Sequence, residues 1–226
     1  MFQPNQLFDL KQTDYAALFD GCEYAWDALK RLKVFIAARV QEAPLHAYGP
    51  HIFIGQDVLI GEGTVIEEGA TIKGPAIIGR GCEIRHGAYI RDHVIVGDDC
   101  IIGNSSELKH SFLFNGCQVP HFNYVGDSIL GHKAHLGAGV ICSNLKSLPG
   151  NVTVKMNGQH HDTGLRKFGA LLGDQVDVGC NSVLNPGTVI GRGTVIYPLT
   201  NWRGVAGSNC IIKNKGTAEA VERRSK

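Results

Sequence analysis

The 226-residue sequence predicts a mainly β protein: a parallel β-helix of hexapeptide repeats, preceded by an N-terminal helical segment. Three observations support this fold class. Apolar residues recur at every sixth position over a long stretch, glycine often follows them, and the pattern realigns every eighteen residues. Neither an α-helix nor an alternating strand has a period of six. A series of short strands, each bending into the next, does repeat every six residues. Three such strands close one coil of eighteen residues.

Residues 1–47 are predicted to form an N-terminal helical cap. Within residues 12–42, apolar side chains approximate one helix face: Tyr15, Leu18, Phe19, Cys22, Trp26, Leu29, Phe35, Ile36 and Val40. Thr13 or Asp14 is a candidate N-cap, and Gly21 is expected to divide the segment into two helices. We interpret the segment as a cap over the open first coil of the β-helix.

Residues 48–212 are predicted to form the β-helix itself. Eleven consecutive sixth positions are apolar and are expected to point inward: Ile54, Ile60, Ile66, Ile72, Ile78, Ile84, Ile90, Val96, Ile102, Leu108 and Phe114. Positions eighteen residues apart, such as Ile72 and Ile90, should stack on one another. Cys82 and Cys100 form a second stacked pair, for which packed small side chains are the preferred interpretation over a disulfide.

The repeat shifts after Phe114. The next inward positions are predicted, with two five-residue steps, at Val119, Val125, Leu130, Leu136 and Cys142. The six-residue spacing returns at Leu172, Val178, Leu184, Ile190 and Ile196. Between the two stretches lies an inserted loop, residues 145–168, and residues 213–226 are predicted to be a mobile tail. Because such irregularities reshape the surface of a solenoid, we expect the function to reside between residues 104 and 170.

Composition restricts the partners and the compartment. A net charge of +1 gives no basis for binding nucleic acid or an anionic membrane. No apolar run approaches the roughly 18 residues that span a bilayer, and the first residues lack a signal-peptide pattern. The seven cysteines are odd in number and contain no Cys-x-x-Cys pair, so we interpret them as reduced, packed thiols. These features predict a cytoplasmic protein.

Three motifs lie between residues 103 and 144. They read Gly103-Asn104-Ser105-Ser106-Glu107-Leu108-Lys109, His121-Phe122-Asn123-Tyr124-Val125-Gly126-Asp127, and Gly137-Ala138-Gly139 followed by Asn144. The motifs resemble the acetyltransferase domain of the bifunctional enzymes that make UDP-N-acetylglucosamine. Residues 151–174 further resemble the archaeal sugar-1-phosphate nucleotidylyltransferases that also transfer acetyl groups. The resemblance covers about residues 50–200 and implies a left-handed β-helix, a homotrimer, and acetyl-CoA as co-substrate.

The resemblance also implies roles for individual residues. His121 matches the general base, and imidazole, with a pKa near 6.5, is suited to taking a proton from an amine. Glu107 is expected to orient or polarise the surroundings of this base. Arg91 and Lys109 match phosphate-binding positions, an arginine being a planar fork and a lysine a point charge.

The remaining implied contacts are with the sugar and with acetyl-CoA. Tyr124 and Asn144 match sugar-contacting positions, and His135 stands where the bifunctional enzymes usually carry asparagine. Ala138 and Cys180 match the acetyl-CoA channel, with Cys180 in place of a serine. The predicted activity is acetyl transfer to an amino sugar phosphate, with glucosamine 1-phosphate as the first candidate and no bound metal.

Two other function classes stay open at this stage. A γ-type carbonic anhydrase binds zinc through three histidines, and His110, His121, His132 and His135 are the candidate ligands here. The usual spacing of that class, with two histidines five residues apart, is absent from this set. A non-catalytic β-helix module would bind acetyl-CoA without turnover. Nucleotidylyl transfer needs a glycine-rich phosphate loop opening a Rossmann-like domain, and the residues before the repeat contain no such loop. We therefore do not expect that reaction from this chain.

Overall fold

A computed structural model describes residues 2–41, 43, 48–156 and 158–214, and its main feature is a parallel β-helix with three flat sides. Each side is an eight-stranded parallel sheet, named here sheet A, sheet B and sheet C. The predicted fold class, mainly β with parallel coils, is therefore confirmed. The left-handed sense of the coils is the one that the resemblance implies.

The strands visit the three sheets in turn. Sheet A contains β1 (Phe53–Ile54), β4 (Thr71–Ile72), β7 (Tyr89–Ile90), β10 (Glu107–Lys109), β13 (Tyr124–Gly126), β16 (Ile141–Cys142), β21 (Val183–Leu184) and β24 (Asn201–Trp202). Sheet B contains β2 (Val58–Ile60), β5 (Ala76–Ile78), β8 (Val94–Val96), β11 (Phe112–Leu113), β14 (Ile129–Leu130), β19 (Ala170–Leu172), β22 (Thr188–Ile190) and β25 (Val205–Ala206). Sheet C contains β3 (Val65–Ile66), β6 (Glu83–Ile84), β9 (Ile101–Asn104), β12 (Gln118–His121), β15 (His135–Leu136), β20 (Asp177–Val178), β23 (Val195–Ile196) and β26 (Ile211–Ile212).

The predicted inward residues form the interior of the β-helix, with one exception. Ile72, Ile90 and Leu108 pair in register on successive strands and are fully buried. The exception is Phe114, because Leu113 pairs with Val96 and occupies the interior position instead. Phe114 points outward and stacks on Phe8, with ring centroids 5.0 Å apart. The first five-residue step therefore lies between Leu108 and Leu113, one step earlier than predicted.

The amino-terminal segment is helical, and Gly21, with φ 68°, separates its two parts as predicted. Its helices are α1 (Pro4–Leu7), two 3₁₀ turns (Leu10–Gln12 and Ala16–Phe19) and α2 (Asp27–Val40). The segment does not lie over the first coil. It packs along the outer face of sheet B, where it buries an outward column of apolar side chains: Ile77, Ile95, Phe112, Ile129, Leu171 and Val189. Because packing on the side of the β-helix buries this second apolar column, the amino-terminal segment is more stable there than over the end of the β-helix.

The insertion between β16 and β19 contains an antiparallel hairpin, β17 (Thr153–Met156) and β18 (Gln159–Asp162). Val152 and Val154 join the apolar cluster between sheet B and the amino-terminal segment. The predicted tail falls, from residue 215 onward, outside the described residues. In the described part of the chain, no helix is long and apolar enough to cross a membrane.

Candidate active site

His121 lies at the corner where β12 of sheet C turns into β13 of sheet A. Phe122 adopts the left-handed region, with φ 51°, so the chain bends sharply after His121. Asn123, which is 3% exposed, holds the bend: its Oδ1 accepts the His121 backbone N–H at 3.0 Å, and its Nδ2 donates to the Gly137 carbonyl at 2.8 Å. The His121 ring is exposed, and within residues 48–156 and 158–214 no side chain hydrogen-bonds to it. The ring nitrogens are therefore available to a ligand.

Ala138 and Cys180 occupy the same corner in the next two coils. The Gly139 N–H donates to the His121 carbonyl at 3.0 Å, and the Asn181 N–H donates to the Ala138 carbonyl at 2.8 Å. These bonds stack the three turns directly on one another, about 4.8 Å apart. A Cβ at Gly137 would lie 3.0 Å from the Cys180 Sγ, so the thiol rests on the preceding turn. The structure thus brings together one sequence-predicted base and both predicted cofactor contacts along a single corner.

Sheet A carries the predicted phosphate contacts beside this corner. The Arg91 Nη1 is 2.8 Å from Glu107 Oε1, and the Lys109 Nζ is 3.6 Å from Asp127 Oδ2. Lys73 occupies the equivalent position one coil before Arg91. The Lys73 N–H donates to the Ile90 carbonyl, just as the Arg91 N–H donates to the Leu108 carbonyl one coil later. The three cations form a ladder along sheet A. Among the described residues, Glu107 pairs with Arg91, Asp127 lies near Lys109, and the charge of Asp92 acts on both of these cations. Arg91 and Lys109 can nevertheless donate charge-assisted hydrogen bonds to an anionic ligand.

Tyr124 and Asn144 meet above a glycine. The Asn144 Nδ2 donates to the Tyr124 hydroxyl at 3.2 Å and also to the Asp127 carboxylate. A Cβ at Gly126 would come within 2.6 Å of both Asn144 Nδ2 and the Tyr124 hydroxyl, so only glycine leaves room for this pair. Burial raises the pKa of the Tyr124 phenol, and the charges of Glu107 and Asp127 raise it further. The hydroxyl therefore stays protonated and can donate to a ligand.

The structure gives two of the predicted site residues other partners, and their roles toward the base and the sugar stay predictions. Glu107 makes its ion pair with Arg91, and among the described residues it has no bond to His121. His135 lies on sheet C, where its Nδ1 is 2.8 Å from Asp177 Oδ1, and it is not part of the sheet A cluster. Conversely, Asn123 and Asp127 have roles that motif matching did not assign. Both are buried polar residues within the second motif, and their burial is visible only in the folded chain.

The other histidines are dispersed. The His110 Nε2 faces the Leu29 carbonyl at 3.0 Å, and the His132 Nδ1 faces the Asn115 carbonyl at 2.7 Å. In the described part of the chain, no three His, Cys, Asp or Glu side chains lie close enough together to hold a metal ion. The histidine set considered for a zinc centre is thus spread over separate corners and faces.

Comparison with known proteins gives this geometry a context. The family described as "GMPPB C-terminal domain" matches residues 72–178. A bifunctional sugar-1-phosphate nucleotidylyltransferase/acetyltransferase of Sulfurisphaera tokodaii is 38% identical over 96 residues, covering 42% of this chain and 24% of that protein. The bifunctional protein GlmU of Methanococcus vannielii is 36% identical over 110 residues, covering 49% of this chain and 24% of that protein. This chain is a homologue of these bifunctional enzymes.

The homology is partial in extent. The chain spans about a quarter of the length of the curated relatives it matches. Among solved structures, an N-acyltransferase from Bacillus cereus, in complex with dTDP-4-amino-4,6-dideoxyglucose and coenzyme A, is 18% identical with a TM-score of 0.34. That likeness covers 75% of this chain and 86% of the other. The relationship predicted from the three sequence motifs is confirmed by the named homologues.

Proposed function

We propose that this protein is an acetyl-CoA-dependent N-acetyltransferase that acts on an amino sugar phosphate, with glucosamine 1-phosphate as the first candidate. One observation carries the proposal. The exposed, unpaired ring of His121 shares a corner with Ala138 and Cys180 in the next two coils, and this corner borders the cationic ladder of sheet A. Base, thioester channel and phosphate contacts thus converge on one edge of the β-helix.

The chemistry requires a base because an amino sugar nitrogen is protonated near neutral pH. In the proposed step, a neutral His121 ring nitrogen accepts a proton from the ammonium group, and the freed lone pair attacks the thioester carbonyl. The C–N bond forms, and collapse of the tetrahedral intermediate breaks the C–S bond. The imidazolium then returns its proton to the departing CoA sulfur, which leaves as the thiol while the nitrogen sheds its second proton to water.

The phosphate would bind between Arg91 and Lys109. The Lys109–Asp127 separation of 3.6 Å exceeds an ordinary hydrogen bond, so the lysine can turn towards a ligand without losing a short contact. Glu107 fixes the Arg91 guanidinium, and we assign it this positioning role in place of a contact with the base. The Tyr124 hydroxyl and the Asn144 side chain would donate to or accept from the sugar hydroxyls.

We further propose a cytoplasmic homotrimer in which the site lies in a groove between subunits. In this arrangement the corner that carries His121, Ala138 and Cys180 borders the groove, and Ala138 or Cys180 of a neighbouring subunit lines the same groove. Symmetric assemblies often build sites this way, because each interface is repeated around the axis. Mixed assemblies of two inactive variants test the shared groove separately from the chemistry.

The decisive experiment measures release of free CoA thiol with a panel of phosphorylated and unphosphorylated amino sugars. With the preferred sugar phosphate, His121→Ala is expected to lower kcat by roughly 10²–10⁴-fold with an unchanged circular dichroism spectrum. The matched control is His86→Ala, which removes another exposed histidine from the same corner two coils earlier and should leave kcat unchanged.

Three results would contradict the proposal. Normal turnover by folded His121→Ala would exclude the base assignment. Acetylation of unphosphorylated amines as rapidly as any sugar phosphate would exclude the phosphate site. Binding of acetyl-CoA with no thiol release for any amine would favour a non-catalytic module.

A further inference from the structure

The carboxylate of Asp127 lies beside the two candidate sugar contacts, at the corner where β13 of sheet A turns into β14 of sheet B. Asp127 is 6% exposed and adopts the left-handed region, with φ 47°. Its backbone N–H donates to the Lys109 carbonyl at 2.9 Å, and its own carbonyl accepts from the Gly169 N–H at 2.9 Å. The backbone that carries the carboxylate is therefore held from both sides, by the preceding coil and by the chain that follows the insertion.

This carboxylate determines which way round the Asn144 amide lies. An ionised carboxylate only accepts hydrogen bonds, so the amide must turn its NH₂ group, and not its oxygen, towards Asp127. The Asn144 Nδ2 donates to Asp127 Oδ2 and also to the Tyr124 hydroxyl, the latter at 3.2 Å. Both hydrogens of the NH₂ group are then used within the chain. Among the described residues, no group donates to Asn144 Oδ1, so this oxygen is left for a ligand.

The Tyr124 hydroxyl has the complementary polarity. Its oxygen already accepts from Asn144, and in the described part of the chain its hydrogen has no acceptor. The pair therefore presents one acceptor, Asn144 Oδ1, and one donor, the Tyr124 O–H. A ligand group that donates to the first and accepts from the second needs both a hydrogen and a lone pair. A hydroxyl group has both, whereas an ammonium group only donates and a fully ionised phosphate only accepts.

We infer that Asp127 is a positioning residue that fixes the hydrogen-bond polarity of the sugar site, so that Asn144 and Tyr124 together select a sugar hydroxyl. Asp127 has this role only if the proposed function holds, because the hydroxyl belongs to the amino sugar phosphate in that same site. The carboxylate acts through Asn144 and makes no contact with the ligand itself. Such a site discriminates strongly against an analogue without the hydroxyl hydrogen, since the Asn144 oxygen is then left without a donor.

The test uses analogues of the preferred amino sugar phosphate in which each hydroxyl in turn is replaced by fluorine, which cannot donate a hydrogen bond. Release of free CoA thiol gives kcat/KM for each analogue and for the parent sugar. With the wild-type chain, one replacement is expected to lower kcat/KM about tenfold or more. In Asp127→Asn either amide can donate to the other, so Asn144 can invert and this loss should shrink to about threefold or less. Parent and analogue carry the same phosphate, so their ratio cancels any effect of the variant on Lys109, whose Nζ is 3.6 Å from Asp127 Oδ2.

The matched control is Asp92→Asn. It removes another carboxylate whose charge acts on Arg91 and Lys109, but the hydrogen-bond partner of Asp92 is His93, so the fluorine ratio should keep its wild-type value. Asparagine tolerates the left-handed φ of residue 127. If Asp127→Asn does not fold, Asp127→Gly tests the same ratio, because glycine adopts this φ without strain.

A fluorine ratio that is the same in the Asp127 variants and in the wild type would overturn the inference. The carboxylate would then only hold the start of the insertion, a role that changes the melting temperature and leaves the ratio unmoved. A wild-type chain that accepts every fluorinated analogue as well as the parent sugar would also overturn it. No thiol release by the wild type with any amino sugar phosphate would overturn the proposed function, and the role of Asp127 with it. Activity of the wild type towards the parent sugar thus distinguishes the two failures.

Discussion

At the scale of single residues, two glycines are required for different reasons, one for the stacking of the coils and one for the candidate site. A Cβ at Gly103 would lie 1.6 Å from the Pro120 carbonyl oxygen, which is fixed backbone of the next coil. A Cβ at Gly126 would instead meet the ends of two side chains, Tyr124 and Asn144. The absence of a Cβ at Gly103 thus allows the close spacing of the coils, and its absence at Gly126 leaves room for the candidate sugar contacts.

We expect Gly126→Ala to displace Tyr124 and Asn144, which raises KM for the sugar phosphate about tenfold while the melting temperature changes little. Gly103→Ala should instead prevent folding, because backbone cannot give way as a side chain does. Gly49→Ala is the matched control, since a Cβ there meets nothing within 4 Å. Thermal melts and acetyl-transfer kinetics measure the three variants. Unchanged kinetics in Gly126→Ala would remove the sugar contacts from the proposal.

At the scale of elements, the amino-terminal segment acts as the outer layer of sheet B. Leu29, Leu32 and Ile36 lie on one face of α2 and are fully buried against it. Phe19 packs against both Phe112 and Phe114, with ring centroids 5.6 and 5.7 Å apart. The segment therefore shares an apolar cluster with the β-helix and should unfold together with it.

Phe19→Ala tests this joint unfolding. Removing a buried phenylalanine costs about 3–5 kcal/mol through lost burial and the cavity left behind. We expect the denaturant midpoint of the whole protein to fall in one transition. Val34→Ala is the control on the neighbouring helix, because Val34 is 73% exposed and should change stability by less than about 0.5 kcal/mol. A separate early transition for the helices would mean that the segment is an independent layer.

The contact between His110 and the segment should make stability depend on pH. Burial lowers the pKa of His110; Asp127 opposes this shift, and His93 and Lys109 add to it. The unfolded chain, with a histidine pKa near 6.5, then takes up the proton first as the pH falls. Stability is thus full above about pH 6.5 and declines below it. The melting temperature should fall between pH 7.5 and 5.5, and His110→Gln should reduce that fall, whereas the exposed-site control His160→Gln should not.

At the scale of the whole molecule, the three sheets have different environments. The amino-terminal segment covers sheet B, which leaves sheets A and C as the faces open to partners. Five of the exposed large apolar residues lie on these two faces and at the corner between them, namely Phe53, Val65, Phe122, Val195 and Ile211, whereas the two most exposed, Leu148 and Val34, lie on the insertion and on α2. Phe122, 61% exposed, directly follows His121. The exposed ring of Phe122 beside His121 supports the proposal that subunits meet at the edge that carries the candidate site.

Mixed assemblies test whether the site is shared between subunits. One inactive variant, His121→Ala, is refolded together with a second, Ala138→Trp, which blocks the proposed acetyl-CoA channel. If His121 and Ala138 of different subunits form one site, each mixed interface can restore an intact pair, so activity should reappear on mixing. Sedimentation should show a trimer throughout. Activity that stays absent in mixed trimers would place both residues of the site in a single subunit, and a fully active monomer would exclude the trimer.

The sequence by itself determined the repeating part of this protein. A six-residue period predicted the three-sided coil and nearly all of its interior, because each coil imposes the same local demand for an inward branched residue and a bend. The motifs singled out His121 and Ala138 as candidates, the resemblance added Cys180, and the structure places the three at one corner. His121 and Ala138 stack because they lie about one coil apart in sequence, whereas Cys180 reaches the same corner only because the insertion after β16 leaves the coil register unchanged.

Only the tertiary structure decided what lies outside the repeat. Phe114 and Leu113 are adjacent and both apolar, so their assignment depended on a second apolar cluster formed by the amino-terminal segment. That segment is held by contacts such as the Asp9 N–H to Asp174 and Arg192 to the Asn5 carbonyl, which join residues 165 and 187 positions apart. The pairing of Glu107 with Arg91, and of His135 with Asp177, likewise depends on which side chains face one another across coils. A periodic pattern encodes the spacing of neighbours within the coil, and it contains no information on contacts of this kind.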